Sequence, residues 1–356
     1  MATEPDARHP RRTGVDIELN RAGRLAGVPT LAGMKAIRYQ RYGSPDVLEL
    51  QDVGMPAVGD GEVLVRVRAA SVNPLDFHFL RGTPYLVRLA GGLTRPRRTG
   101  LGVDLAGHVE AVGRDVTGFS PGDEVFGQCA GTFAEYVTFG PKAAVLAKPA
   151  NLTFEQAAAV PVAGFTALQA LRDSAHVKAG HRVLVNGAGG GVGTFAVQIA
   201  RAFGAEVTGV CSPGKVALVG SIGADRVVDY TREDFTRTDR PYDVVIDTVG
   251  NRTLSEIRRV LAPKGVLVSV GAPDDGNWIA PLTGIAKMLA TSAFVSQSLR
   301  PMLARPKRDD LAVLSELLVA GRVTAVIDRT YPLAEVPDAV RYLEEGHAAG
   351  KVVITI

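Results

Sequence analysis

Cysteine is scarce: Cys129 and Cys211 are the two in 356 residues. That count excludes a disulfide framework and a four-cysteine zinc lobe, and makes a reducing, cytoplasmic compartment the expectation. An excess of one charge is equally lacking. Forty basic residues against 37 acidic ones leave a net charge of +3, too little for a global field drawing in nucleic acid or a membrane. No apolar run reaches the length of a bilayer span, and no internal repeat is visible. Residues 1–33 lack the apolar core of a secretory signal. Their arginines are interleaved with Glu4, Asp6, Asp16 and Glu18, which argues against an organelle transit peptide. The segment reads as a flexible N-terminal extension, with the folded chain beginning at Met34.

What is present is ordinary globular material, 46% hydrophobic and 22% charged, with room for two domains. From Met34 to about Ala158 the texture is all-β. "EVLVRVRAASV" alternates as a half-exposed strand should, and "DLAGHVEAVG", "GDEVFGQ" and "TFAEYVTF" follow between Gly, Pro and Asp turn signals. After Gln156 strands alternate with helices, which calls for a parallel sheet with helices on both faces.

One stretch carries a site. In "NGAGGGVGTFAVQIARAFGAEVTGVCS", residues 186–212, a β-branched run enters a glycine turn, and a helix and a second strand follow. Reading back from Gly193, the register is Ala188-x-Gly190-x-x-Gly193, with Gly191 and Val192 inside the turn. Such glycines allow a tight turn, close backbone approach to a pyrophosphate and close helix packing. The helix N-terminus then offers unpaired N–H groups to the phosphates. A purely structural glycine turn explains the turn but not the surrounding strand–helix–strand order.

With "GVDLAGHVEAVGRDVTGFSPGDEVFG", "AAAVPVAGFTALQAL" and "GKVVITI", residues 34–356 resemble the medium-chain dehydrogenase/reductase family, in its zinc-independent quinone and enone oxidoreductase branch. The resemblance implies an α/β fold: a GroES-like β-barrel catalytic domain over 34–158 and 298–356, and a Rossmann doubly wound parallel sheet over 159–297. It places the active site in the cleft between them. Transferred position by position, the zinc ligands of the alcohol dehydrogenases fall on Asn73, Val103 with Asp104 beside it, and Ala163. Those residues cannot make a tetrahedral thiolate–imidazole site, so no metal is expected. His78 and His108 are the conceivable substitutes, and lone histidines are more often structural.

Without a Lewis acid to stabilise an alkoxide, reduction of a conjugated carbonyl or quinone by NADPH is the expected reaction, since the charge delocalises over an enolate or quinol. The resemblance puts Asn73 near nicotinamide and substrate, with Asp76, Phe77 and His78 lining the same cleft. His78 is read as a polar contact to the substrate carbonyl or as a solvent-facing barrel residue, and Asp76 as a site residue or a turn cap. Thr166 is expected at the cofactor phosphate or ribose, Asp247 and Val249 beside the cofactor, and Gly271 and Ala272 in the loop beside the nicotinamide. Ser212 ends the second Rossmann strand, where NAD-preferring members carry an acid. With Lys215 and Tyr230 it points to the 2′-phosphate of NADPH. Arg95, Arg97 and Arg98 form a basic run near the expected cleft, leaving peripheral membrane contact open. "LTGIAKMLATSAFVSQSLR" resembles a segment through which such chains form homodimers. Two alternatives stand beside this: an NADPH-binding structural or interaction protein with little turnover, and a zinc-free alcohol dehydrogenase.

Overall fold

The computed structural model describes residues 33–270 and 280–356. Gly271, Ala272 and all but the last residue of the expected extension lie outside the described residues.

β1 (Met34–Arg38) and β2 (Glu49–Val53) pair as an antiparallel ribbon. β3 (Val63–Val72), β4 (Asp104–Val112), β5 (Glu124–Gln128), β6 (Tyr136–Phe139) and β7 (Ala144–Ala147) join antiparallel around β3. The alternation read in β3 survives only at Arg66 and Arg68. The rest of that strand is buried because β3 has β4 on one side and β6 and a later strand on the other.

From residue 182 the chain alternates strand and helix. β8 (Arg182–Asn186), β9 (Glu206–Cys211), β10 (Arg226–Asp229), β11 (Tyr242–Asp247), β12 (Leu261–Ser269) and β13 (Ser298–Pro301) form a wholly parallel sheet in the order β10-β9-β8-β11-β12-β13. The order reverses between β8 and β11, and at such a switch point ligands bind beyond the carboxyl ends of the strands. β14 (Ile327–Pro332) and β15 (Lys351–Thr355) return to the first sheet, β15 lying between β14 and β3. The expected return at residue 298 is therefore corrected. β13 pairs along its length with β12, so the crossing comes after Pro301.

The helix Pro161–Leu168 fixes one sheet against the other. Its Ala163, Phe165, Ala167 and Leu168 are all but inaccessible, in a core that takes Phe126 and Val353 from the barrel, Val185 from the parallel sheet and Phe195 from the helix after β8. At roughly 1.5–3 kcal/mol per large buried apolar side chain, that shared core holds the cleft walls in fixed relation. Among the described residues no helix is long and apolar enough to cross a membrane.

Candidate active site

The first wall of the site is the turn after β8. Gly193 must be glycine: a Cβ there would stand 2.1 Å from the Gly187 carbonyl oxygen, which is how the helix Gly191–Ala202 packs so close to the strand. Gly190 caps that helix in extended conformation, and a Cβ there would meet only the Gly187 oxygen, at 3.5 Å. The cap has no side chain to occupy the first helical N–H groups, so they remain available to an anion. Behind the turn, Asp247 accepts from Asn186 Nδ2 at 2.9 Å and from the backbone N–H groups of Val249 and Gly250. It shapes the loop rather than facing the cleft.

The opposite wall is the head of the helix Pro74–Arg81 and the chain beneath it. Asn73 caps that helix, and the buried Asp76 carboxylate accepts its N–H at 2.7 Å, a reciprocal capping box. Burial pushes the Asp76 pKa up to about 7, against the hydrogen bonds from the Asn73 and Gly102 backbone that draw it down. The Asn73 amide is engaged throughout. Its Nδ2 donates to Asp104 Oδ2 at 2.9 Å and to the Ser71 carbonyl at 3.3 Å, while its Oδ1 accepts from Lys351 Nζ at 2.5 Å. Asp104 also accepts from Ser71 Oγ and from the Val162 N–H. Lys351 Nζ stands 3.3 Å from the Val72 carbonyl and 3.6 Å from Asp104 Oδ2. Burial lowers the pKa of Lys351 and raises that of Asp104, each opposed by the charge of the other.

Between the walls runs a cleft of about 740 Å³. Of the expected residues it brings together Asn73, Phe77, Gly190, Gly191, Val192, Gly193, Ser212, Lys215, Tyr230 and Val249. Four others are placed elsewhere in supporting positions. Ala188 is fully buried under the turn, its N–H bonded to the Val210 carbonyl. Thr166 turns its hydroxyl back onto the Val162 carbonyl of its own helix, leaving Val162 and Ala163 to line the cleft. Asp76 and Asp247 hold backbone. His78 lines neither cavity, and its Nδ1 lies 3.0 Å from the Thr83 carbonyl oxygen at the end of its helix. Arg97 and Arg98 border a second cavity of about 470 Å³, lined on the far side of the helix by Tyr39, Tyr42, Asp76 and Phe79.

Lys351 and the segment before it escaped sequence reasoning. Gly190 forms a parallel bridge with Gly350, and Lys215 Nζ donates to the Ala348 carbonyl at 2.7 Å, so residues 346–351 join the glycine turn to Asn73. The signal was a lone lysine heading the apolar strand "KVVITI" (residues 351–356), since a lysine buried in a strand needs a partner.

The residues at the positions of a catalytic zinc do not fit the metal. Val103 and Ala163 offer no donor atom, and the one oxygen of Asn73 on that wall accepts from an ammonium. His108 packs edge-on against Phe154, and burial pushes the Cys129 thiol up to about 12. Among the described residues no three His, Cys, Asp or Glu side chains converge on a metal position. A nicotinamide dinucleotide does fit: a bare Gly190 turn at a helix N-terminus opens on a cleft of suitable size.

Two family models match: an alcohol dehydrogenase GroES-like domain over residues 59–150 and a zinc-binding dehydrogenase over 222–354. The chain is 37% identical to the 2-methylene-furan-3-one reductase of Solanum lycopersicum over 90% of its own length and 79% of that protein. It is 33% identical to an NADPH-dependent alkenal/one oxidoreductase, chloroplastic, of Arabidopsis thaliana, with the same coverage. The quinone oxidoreductase structure from Coxiella burnetii superposes with a TM-score of 0.79 at 32% identity, covering 91% of this chain and 99% of that one.

Proposed function

Because the chain belongs to the medium-chain dehydrogenase/reductase superfamily, among its quinone oxidoreductases, we propose that it reduces quinones or α,β-unsaturated carbonyl compounds with NADPH and without zinc. The observation that carries this reading is the pairing of walls: a glycine turn with open helix N–H groups faces an amide–ammonium–carboxylate cluster whose oxygens are already taken by its own hydrogen bonds. When bound, the reduced nicotinamide supplies the hydride. The chain's own part is to hold the pyrophosphate at Gly190–Gly193, to line the substrate end with Phe77, Val162 and Ala163, and to meet the oxygen that gains charge with the Asn73–Lys351 cluster. Conjugation spreads that charge, so hydrogen bonds suffice where an alkoxide would need a metal. NADPH oxidation, followed by loss of nicotinamide absorbance with phenanthrenequinone and with a short alkenal, should be turned over and should be unaffected by chelator. Tight NADPH binding with no turnover of either substrate would favour a non-catalytic binding protein. Activity lost together with one zinc per chain would refute the metal-free reading.

The choice of NADPH over NADH rests on Ser212 and Lys215. A carboxylate at 212 would repel a 2′-phosphate, whereas the hydroxyl donates to it. Lys215, half-buried across Gly189, spends its ammonium on the neutral Ala348 carbonyl, and a phosphate is the stronger acceptor. Two charged hydrogen bonds, discounted for exposure, correspond to a preference of about ten- to a thousandfold. Ser212→Asp combined with Lys215→Ala should erase or reverse it. An unchanged ratio of kcat/KM for the two cofactors would place recognition elsewhere.

A homodimer completes the proposal. Among the described residues β13 is one of the two edge strands of the parallel sheet, β10 being the other, and Leu289, Phe294 and Leu303 stand exposed around β13. A second copy pairing edge to edge would cover both features. Light scattering should give twice the chain mass, and a monomer would count against it.

A further inference from the structure

Asn73 and Lys351 line the cleft with the fully buried Asp104 behind them, and the hydrogen bonds of the three can be counted. Both amide hydrogens of Asn73 are taken, by Asp104 and by the Ser71 carbonyl. Asp104 accepts three hydrogen bonds and donates none. The ammonium of Lys351 has three hydrogens. One is on Asn73 Oδ1, a second is on the Val72 carbonyl at a longer 3.3 Å, and the third has only the ion pair with Asp104 at 3.6 Å, beyond hydrogen-bond range. That ion pair is the longest of the three contacts, so it is the one that an oxygen in the cleft lined by Lys351 can displace.

We propose that Lys351 is the catalytic acid of this site, its ammonium holding the developing oxyanion of the substrate and then protonating it. The assignment rests on the function proposed above. As hydride adds to the β-carbon of an enone, the π pair moves onto oxygen; the Lys351 N–H bond breaks and an O–H bond forms, leaving enol and a neutral amine. A quinone gives the quinol by the same balance. The amine recovers its proton from cleft water. Asp104 keeps the resting lysine charged, and Asn73 aims it. The groups facing Lys351 are Asp104 from β4, Asp76 from the helix Pro74–Arg81 and, beyond Asp104, Cys129, which stays protonated. Burial lowers the lysine below its usual range, so the alkaline limb of activity belongs to it.

The test uses the full chain with NADPH and phenanthrenequinone or an alkenal. Lys351→Met should lower kcat by about 10²–10³-fold, abolish the alkaline limb and the solvent deuterium isotope effect, and leave NADPH binding unchanged by fluorescence. A second readout needs no turnover. With NADP⁺ present, 4-nitrophenol should bind to the wild type as the phenolate and only weakly to Lys351→Met. Lys351→Arg keeps the charge opposite Asp104, and so carries the test if the methionine variant does not fold. It should still bind nitrophenolate but lose kcat and the alkaline limb, because a guanidinium does not release its proton near neutrality. Variants with kcat within about threefold of wild type and an unchanged pH profile would overturn the assignment. If the wild type reduces neither substrate, it is the proposed function that fails. The nitrophenolate titration then still decides about Lys351, and equal binding in wild type and Lys351→Met refutes it.

Discussion

Gly190→Val should abolish NADPH binding, by at least about a hundredfold, and leave the thermal midpoint where it was. A hundredfold is about 2.7 kcal/mol of binding free energy. The backbone at 190 is extended, with φ −93° and ψ 179°, a conformation that suits valine. A Cβ there meets only one atom within 4 Å, so the backbone tolerates the branch point. What it loses is the space over the helix N-terminus, where the pyrophosphate must come within hydrogen-bond reach of the backbone. Gly193→Ala is the contrasting control. Its Cβ would collide with Gly187 and Ala188 backbone, at 2.1 and 2.8 Å, and the turn itself must give way. That variant should be destabilised outright. NADPH binding by Gly190→Val within threefold of wild type would show that the phosphates lie elsewhere.

Asp76→Asn should change how stability depends on pH, by about 3–4 kcal/mol between pH 4 and pH 7.5. The Asp76 carboxyl titrates near 3.8 in the unfolded chain and at about 7 in the folded one, burial being the main cause. Between those values the folded state binds more protons than the unfolded state, so this group makes stability fall as pH rises. Below about pH 4 both states are protonated and the penalty vanishes. Asparagine carries no charge to desolvate and keeps an oxygen for the Asn73 N–H, so the variant should gain on the wild type as pH rises. Urea unfolding of both proteins at the two pH values measures the difference. A constant difference would mean that Asp76 is ionised in the fold at no cost. The comparison between variant and wild type cancels carboxylates such as Asp173 and Glu256, which hydrogen bonds shift the opposite way.

The cofactor half of this molecule was legible because its constraints are local. Gly190 and Gly193 answer to contacts within a few residues, and the parallel strands announce themselves as short apolar runs between helices. The substrate half was not, because its constraints are distant. Asn73, Asp104 and Lys351 meet from three strand ends, and no local period links them. Of the expected Asp76, Phe77 and His78 the cleft takes Phe77 alone, because which way a helix turns each residue depends on packing. β3 misled for a related reason. Alternation reports one exposed face, and a strand with partners on both edges and a helix across it has little exposed face left.

β15 has a consequence for synthesis. The parallel sheet is built from one contiguous stretch, residues 182–301, so it is able to assemble as that stretch leaves the ribosome. The barrel has no such freedom: Val72 waits for Lys351, 279 residues later, before β3 gains its second long neighbour. Until then the Ala69–Val72 end of that edge of β3, beyond the part β6 covers, is open to pairing with other chains, and the half-made molecule is at greatest risk of aggregating. The same late strand brings in the lysine beside Asn73, so the nascent chain can assemble its nucleotide turn long before the substrate end of the cleft is complete.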